Sequence, residues 1–100
     1  MPLKLIMTWD IDPEQEAEYL DFLLRKFLPR MAKLGFELTE TWATVYGNGP
    51  EVEVCALLPD ELEAEQRMAQ KEWKHLLDAL MDYVENFEMK LVPAKKGFQF

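Results

Sequence analysis

The chain is 100 residues long, 49% apolar and 12% aromatic, and its 19 acidic against 11 basic side chains give a formal charge of -8. That length suits one domain with a buried core, and the composition is too apolar for a disordered chain. The charge argues against nucleic acid, which Lys and Arg hold by neutralising phosphates, and against anionic membrane surfaces. No apolar run approaches the ~20 residues of a membrane-spanning helix. Residues 1–12 lack the apolar core and small-residue cleavage site of a secretory signal. Cys55 is the single cysteine and allows no internal disulfide, so a reducing, cytoplasmic setting is expected.

Leu3, Leu5, Met7, Trp9 and Ile11 alternate with Lys4, Ile6, Thr8 and Asp10, which is a strand pattern. Asp12 then offers an N-cap, Pro13 suits the first helical position, and Gln15 stands where a capping box wants Glu or Gln. A first helix should start at residue 13. At 100° per residue, Ala17, Leu20, Leu23, Leu24, Phe27, Leu28, Met31 and Leu34 fall within an arc of about 140°, and this is the predicted core stripe. Tyr19 and Phe22 lie off that arc, where they would mark a contact surface. Pro29 cannot donate to residue 25, so a kink or break is expected there, and Gly35 is a natural stop.

Residues 36–46, FELTETWATVY, alternate and are rich in aromatic and β-branched side chains. Gly47 to Pro50 is dense in turn residues, and EVEVCALL returns as the third strand of a hairpin. A second helix is expected from about residue 61, capped by Asp60, to about Glu85. FEMKLV makes a fourth strand interrupted by Pro93, and the tail GFQF extends beyond it. The order β-α-β-β-α-β predicts an α+β, ferredoxin-like fold over residues 1–100, with a four-stranded antiparallel sheet and two helices on one face.

Helices on one side leave the other sheet face bare, about 400 Å² of projected area for four strands, near the limit of apolar patch a monomer exposes. Val52, Val54, Ala56 and Leu58 share one face of the third strand, and Glu51, Glu53, Cys55 and Leu57 the other. Neither face is plainly polar. A covering partner is therefore expected, namely a homodimer whose open sheet faces pack into a closed barrel.

Candidate chemistry is sparse. In KEWKHLL, residues 71–77, the helical projection turns Trp73 to the core and His75 about 200° away to solvent. Glu72 and His75 have the spacing of a metal pair, but the chain holds no second histidine, and no metal site or cofactor is expected. Cys55 reads as a buried, inert thiol. Glycine-rich phosphate loops are absent. What remains is a sheet pocket: Glu40, Trp42 and Tyr46 share one face of the second strand, with Trp9 or Asp10 beside them. An aromatic wall with one buried carboxylate would suit a small apolar or aromatic ligand, with Glu40 as the proton-transfer group of an enzyme. The plainer alternative is a cross-strand aromatic cluster with an exposed carboxylate.

Three stretches, LPRMAKLGFELTETWATVYGNGPEVEV, KEWKHLLDAL and KLVPAKKGFQF, resemble the dimeric α/β-barrel superfamily, which includes NIPSNAP-like, antibiotic-biosynthesis monooxygenase-like and EthD-like domains. The NIPSNAP-like likeness is greatest. The resemblance implies a face-to-face dimer with a barrel between subunits. It also admits a cofactor-independent monooxygenase or isomerase acting on an aromatic or lactone-like metabolite. Haem-degrading members use a strand asparagine with a tryptophan and a more distant histidine. Here the first strand has no asparagine, and Trp73 and His75 stand two residues apart on opposite faces. The expected function is a non-enzymatic or small-molecule-binding module, with the oxygenase or isomerase, and an interaction adaptor using Tyr19, Phe22 and the tail, as alternatives.

Overall fold

The computed structural model describes residues 1–43 and 50–94, so Tyr46, most of the expected turn at residues 47–50 and the GFQF tail lie outside the described residues. Strands β1 (Leu3–Ile11), β2 (Glu37–Ala43), β3 (Val52–Leu58) and β4 (Val84–Pro93) form one antiparallel sheet in the order β2-β3-β1-β4. Helical segments follow β1 and β3. This is the ferredoxin-like arrangement that the order of elements predicts.

β1 is one of the two inner strands, and its odd residues Leu3, Leu5, Met7 and Trp9 are buried against the helices, with Ile11 partly buried at its end. Leu3, Leu5, Met7 and Trp9 stand opposite Leu58, Ala56, Val54 and Val52 of β3, so both strands present one continuous apolar surface to the core.

The first helical run begins with a 3-10 turn, Pro13–Gln15, capped by the Asp12 carboxylate, which accepts from the Glu14 amide at 3.0 Å. It continues through α1 (Glu16–Phe22), a π turn (Leu23–Phe27) and α2 (Leu28–Lys33). The irregularity expected around Pro29 is thus a π turn just before it, with Pro29 near the start of α2.

The π turn splits the predicted stripe: Leu23, Phe27 and Met31 are buried and Leu28 and Leu34 pack partly buried against the core, but Ala17, Leu20 and Leu24 are exposed. One extra residue in the turn shifts the helical phase by about 100°, enough to move a residue from one face to the next. As a result Tyr19, Phe22, Leu23, Phe27 and Met31 are buried, whereas Leu20 and Leu24 are 54% and 57% exposed. The contact-surface role expected of Tyr19 and Phe22 is therefore wrong. Tyr19 accepts a 3.0 Å hydrogen bond from the Trp9 indole, and Phe22 stacks on Tyr83 at 4.7 Å.

The second helical run is also divided: α3 (Glu61–Met68) and α4 (Lys71–Leu80) replace the single helix expected to residue 85. Gln70 adopts an extended backbone between them. Its side-chain amide donates to the carbonyls of Arg67 and Leu34, satisfying one C-terminal carbonyl from each helical run. Asp60 caps α3 as expected, accepting from the Glu63 amide at 2.8 Å. Gly35 ends the first run at φ 101°, a left-handed conformation that glycine adopts without a Cβ penalty.

The core closes around aromatic contacts. Trp9 meets Phe27 edge-on at 6.0 Å and lies parallel to Phe87 at 6.1 Å, while Trp73 packs on Phe36 at 4.5 Å. Trp73 is buried and His75 exposed, as the helical projection predicts.

Trp9→Phe removes the donor to a buried hydroxyl and is expected to cost about 1–3 kcal/mol. In urea unfolding, the double variant Trp9→Phe/Tyr19→Phe should lose less than the sum of the two single changes.

Candidate functional site

The face of the sheet away from the helices is the candidate site. β1 contributes Lys4, Ile6 and Thr8; their register partners are Leu57, Cys55 and Glu53 on β3, and Val92, Lys90 and Glu88 on β4. The face therefore mixes aliphatic side chains with charges of both signs.

A β-bulge decides what β2 adds. Leu38 pairs with Ala56 but Glu40 pairs with Cys55, so one extra residue, Thr39, enters β2. Side chains alternate strictly along a strand, and a one-residue slip exchanges its faces. Leu38 therefore joins the core side, with the buried Phe36 just before it, while Glu40 and Trp42 turn to the open face. Trp42 is 60% exposed there, opposite Glu53.

Trp9 does not join them. It is fully buried on the helix side, because the odd residues of β1 all face the core. Glu40 is not the buried carboxylate that proton transfer would want; it is exposed and paired with the Lys4 ammonium at 3.4 Å. Of the expected pocket, the structure brings Glu40 and Trp42 onto one face, and Tyr46 lies outside the described residues.

The open face holds a concavity of about 520 Å³, with Ile6 and Thr8 as floor, Pro50 and Glu53 on one side, and Glu88 and Lys90 on the other. None of Glu40, Trp42 or Trp9 lines it. The alternation of β1 marks Ile6 and Thr8 as facing away from the core. Glu88 and Lys90, the partners of Thr8 and Ile6, alternate onto the same face within the expected strand FEMKLV. Between Thr8 and Asp10 the β1–β4 register shifts by one residue, and Asn86 takes a φ of 54°.

Asp10 holds this corner. Its carboxylate accepts from the Asn86 side-chain amide at 2.9 Å and from the Glu51 backbone amide at 3.0 Å, and Glu51 returns a carboxylate oxygen to the Ile11 amide at 3.3 Å. The Asn86 hydrogen bond, then the Glu51 amide, hold the Asp10 carboxyl below its ordinary value.

Cys55 is 1% exposed although it points to the open face. Its sulfur, a Glu40 oxygen and a Glu53 oxygen lie within 4.8 Å of one another. Burial, reinforced by the Glu53 charge, pushes the thiol up to about 11, so it stays protonated at neutral pH. A thiol that stays protonated is a poor nucleophile. This matches the inert reading of Cys55.

The comparisons with known proteins place this architecture. Over 98% of this chain and 89% of the other, it superposes on a NIPSNAP-like domain protein from Burkholderia xenovorans with a TM-score of 0.74 at 14% identity. A NIPSNAP family protein from Agrobacterium tumefaciens matches over 96% of this chain and 89% of its own, with a TM-score of 0.74 at 17% identity. A mutant of SnoaB, a cofactor-independent oxygenase from Streptomyces nogalater, matches over 96% and 95%, with a TM-score of 0.71 at 13% identity. No family model and no curated protein matches the sequence. The chain thus has the ferredoxin-like fold of NIPSNAP-like and antibiotic-biosynthesis monooxygenase-like proteins, as its sequence resemblance implies. Among the described residues, no helix is long and apolar enough to cross a membrane.

Two consequences are measurable. Because the Asp10 carboxyl is lowered in the folded state, its stabilising contribution is full above the ordinary aspartate range and is lost as pH falls through its folded value. Asp10→Asn should therefore lower the urea midpoint at pH 7 and flatten its decline between about pH 5 and pH 2. For Cys55 the sign reverses: a raised folded value means stability falls as pH rises from about 9 towards about 11. At pH 8, Ellman's reagent should label the native protein far more slowly than the urea-unfolded chain.

Proposed function

We propose that the chain acts as a homodimeric small-molecule-binding module, the two open sheet faces closing on each other into a barrel. The observation that carries this reading is the open face itself. It combines an apolar floor at Ile6, a concavity of about 520 Å³ and an exposed Trp42, all on the side that no helix covers. That volume is within the ~300–1,000 Å³ of small-molecule sites. The wide mouth of a monomer's concavity would be roofed by the second sheet, whose Trp42 supplies a large aromatic anchor of the kind that dominates interfaces. The Lys4–Glu40 pair and Glu53 would give the chamber polar groups to orient a ligand with an apolar or aromatic body.

The likeness to SnoaB favours a second reading, a cofactor-independent oxygenase or isomerase on an aromatic or lactone-like substrate. Against it, the protonated Cys55 and the exposed, paired Glu40 offer neither a nucleophile nor a desolvated base. The binding module is the better supported. A cytoplasmic setting accords with the free thiol of Cys55.

Sedimentation at micromolar concentration should give a dimer, and Trp42→Lys should dissociate it by about 2 kcal/mol or more. A wild-type monomer overturns the reading. Thr8→Trp, which fills the concavity without touching the core, should abolish binding of aromatic probes while leaving the fold intact. Oxygen uptake with an aromatic substrate would instead favour the enzyme.

A further inference from the structure

On the opposite side of the molecule from the open face, the first helical run and α4 enclose a second groove of about 490 Å³. Its apolar part is Phe22, Leu34, Leu76 and Ala79. Lys26, Arg30 and Lys33 form its rim from one helical run, and His75 and Glu72 from α4. His75 is thus exposed on the helix, yet it faces a built concavity.

Among the described cations Lys4, Arg25 and Arg67 form ion pairs and Lys71, Lys74 and Lys90 form none, so what distinguishes Lys26, Arg30 and Lys33 is that all three line one groove. Arg25, next to Lys26, pairs with Asp21 at 2.8 Å, and Arg67 pairs with Glu63 at 2.9 Å. Lys26, Arg30 and Lys33 form no ion pair among the described residues, and their three- and four-residue spacing sets them along one side of the run. A helix C-terminus favours cations and so accounts for Arg30 and Lys33. It does not account for Lys26, which lies on the π turn, nor for the apolar floor beneath all three.

We infer that this groove binds an amphipathic organic anion, with the apolar body on Phe22, Leu34, Leu76 and Ala79 and the carboxylate or phosphate head on Lys26, Arg30 and Lys33. The side chain of His75 adds a hydrogen-bond donor at the far wall. Glu72 is the one carboxylate of the lining and opposes the head group, which sets the sign of its substitution. The size of the groove suits a small molecule and not a folded acidic partner.

Decanoate is a suitable probe, followed by amide chemical shifts of the full chain. Saturable shifts should appear at residues 26–34 and 72–79. Arg30→Glu/Lys33→Glu should weaken binding by about tenfold or more, whereas Glu72→Gln should strengthen it, both by altering charge at the rim. Decanol, which lacks the charge, should bind there at least about tenfold more weakly. Shifts confined to β1, β3 and β4, no saturable binding, equal affinity for decanol, or weaker binding by Glu72→Gln would each overturn the assignment. If the double variant fails to fold, Glu72→Gln and decanol still decide. Binding of an acidic peptide but not of decanoate also overturns it in favour of a protein partner.

Discussion

The buried indole of Trp9 is the contact on which the rest of the structure depends. It sits on β1, an inner strand, donates to the Tyr19 hydroxyl, meets Phe27 edge-on and lies against Phe87 of the closing strand. Three separate parts of the chain therefore register against one side chain. An indole N–H buried without an acceptor would cost about 1–3 kcal/mol, so a tyrosine has to reach it. Tyr19 and Phe27 both reach it because the π turn offsets the helical phase between them. The two exposed leucines, Leu20 and Leu24, are the consequence of that offset: the aromatic residues gain the core positions that the leucines would occupy on a regular helix.

The two faces of the sheet then divide the work. The helix face is dry, with no buried polar or charged residue among its core members. The open face carries Lys4, Glu40, Glu53, Glu88 and Lys90 around aliphatic Ile6, Leu57 and Val92. Two bulges set its outline. That in β2 delivers Glu40 and Trp42 to it, and that in β4 turns the strand at Asn86, where Asp10 ties β1 to the start of β3. Bulges gather where a sheet must re-aim side chains, and the one in β2 does so at the proposed chamber. The basic groove on the helix side shares no lining residue with the open-face concavity and differs from it in chemistry.

The sequence by itself determined the order of elements, the antiparallel sheet, the helix caps at Asp12 and Asp60 and the inward face of β1. It also determined that Trp73 and His75 part company on their helix. These follow from local alternation, capping chemistry and helical projection, which short stretches encode. The resemblance to NIPSNAP-like proteins extended to the fold for the same reason, since its motifs are mostly residues that make the fold.

Only the tertiary structure decided the phase of the first helix and the facing of β2. In each case one inserted residue, in the π turn or at Thr39, shifts every later side chain, and no local signal fixes where the insertion falls. Tyr19 and Phe22 therefore moved from supposed surface to core. In β2 the bulge put Leu38 on the core side and Glu40 and Trp42 on the open face, and Trp9 was separated from the site it was expected to line. Periodicity predicts facing only while the period holds. Where packing around a large buried side chain gains more than a regular hydrogen-bond ladder loses, the period breaks, and the site is drawn by the break.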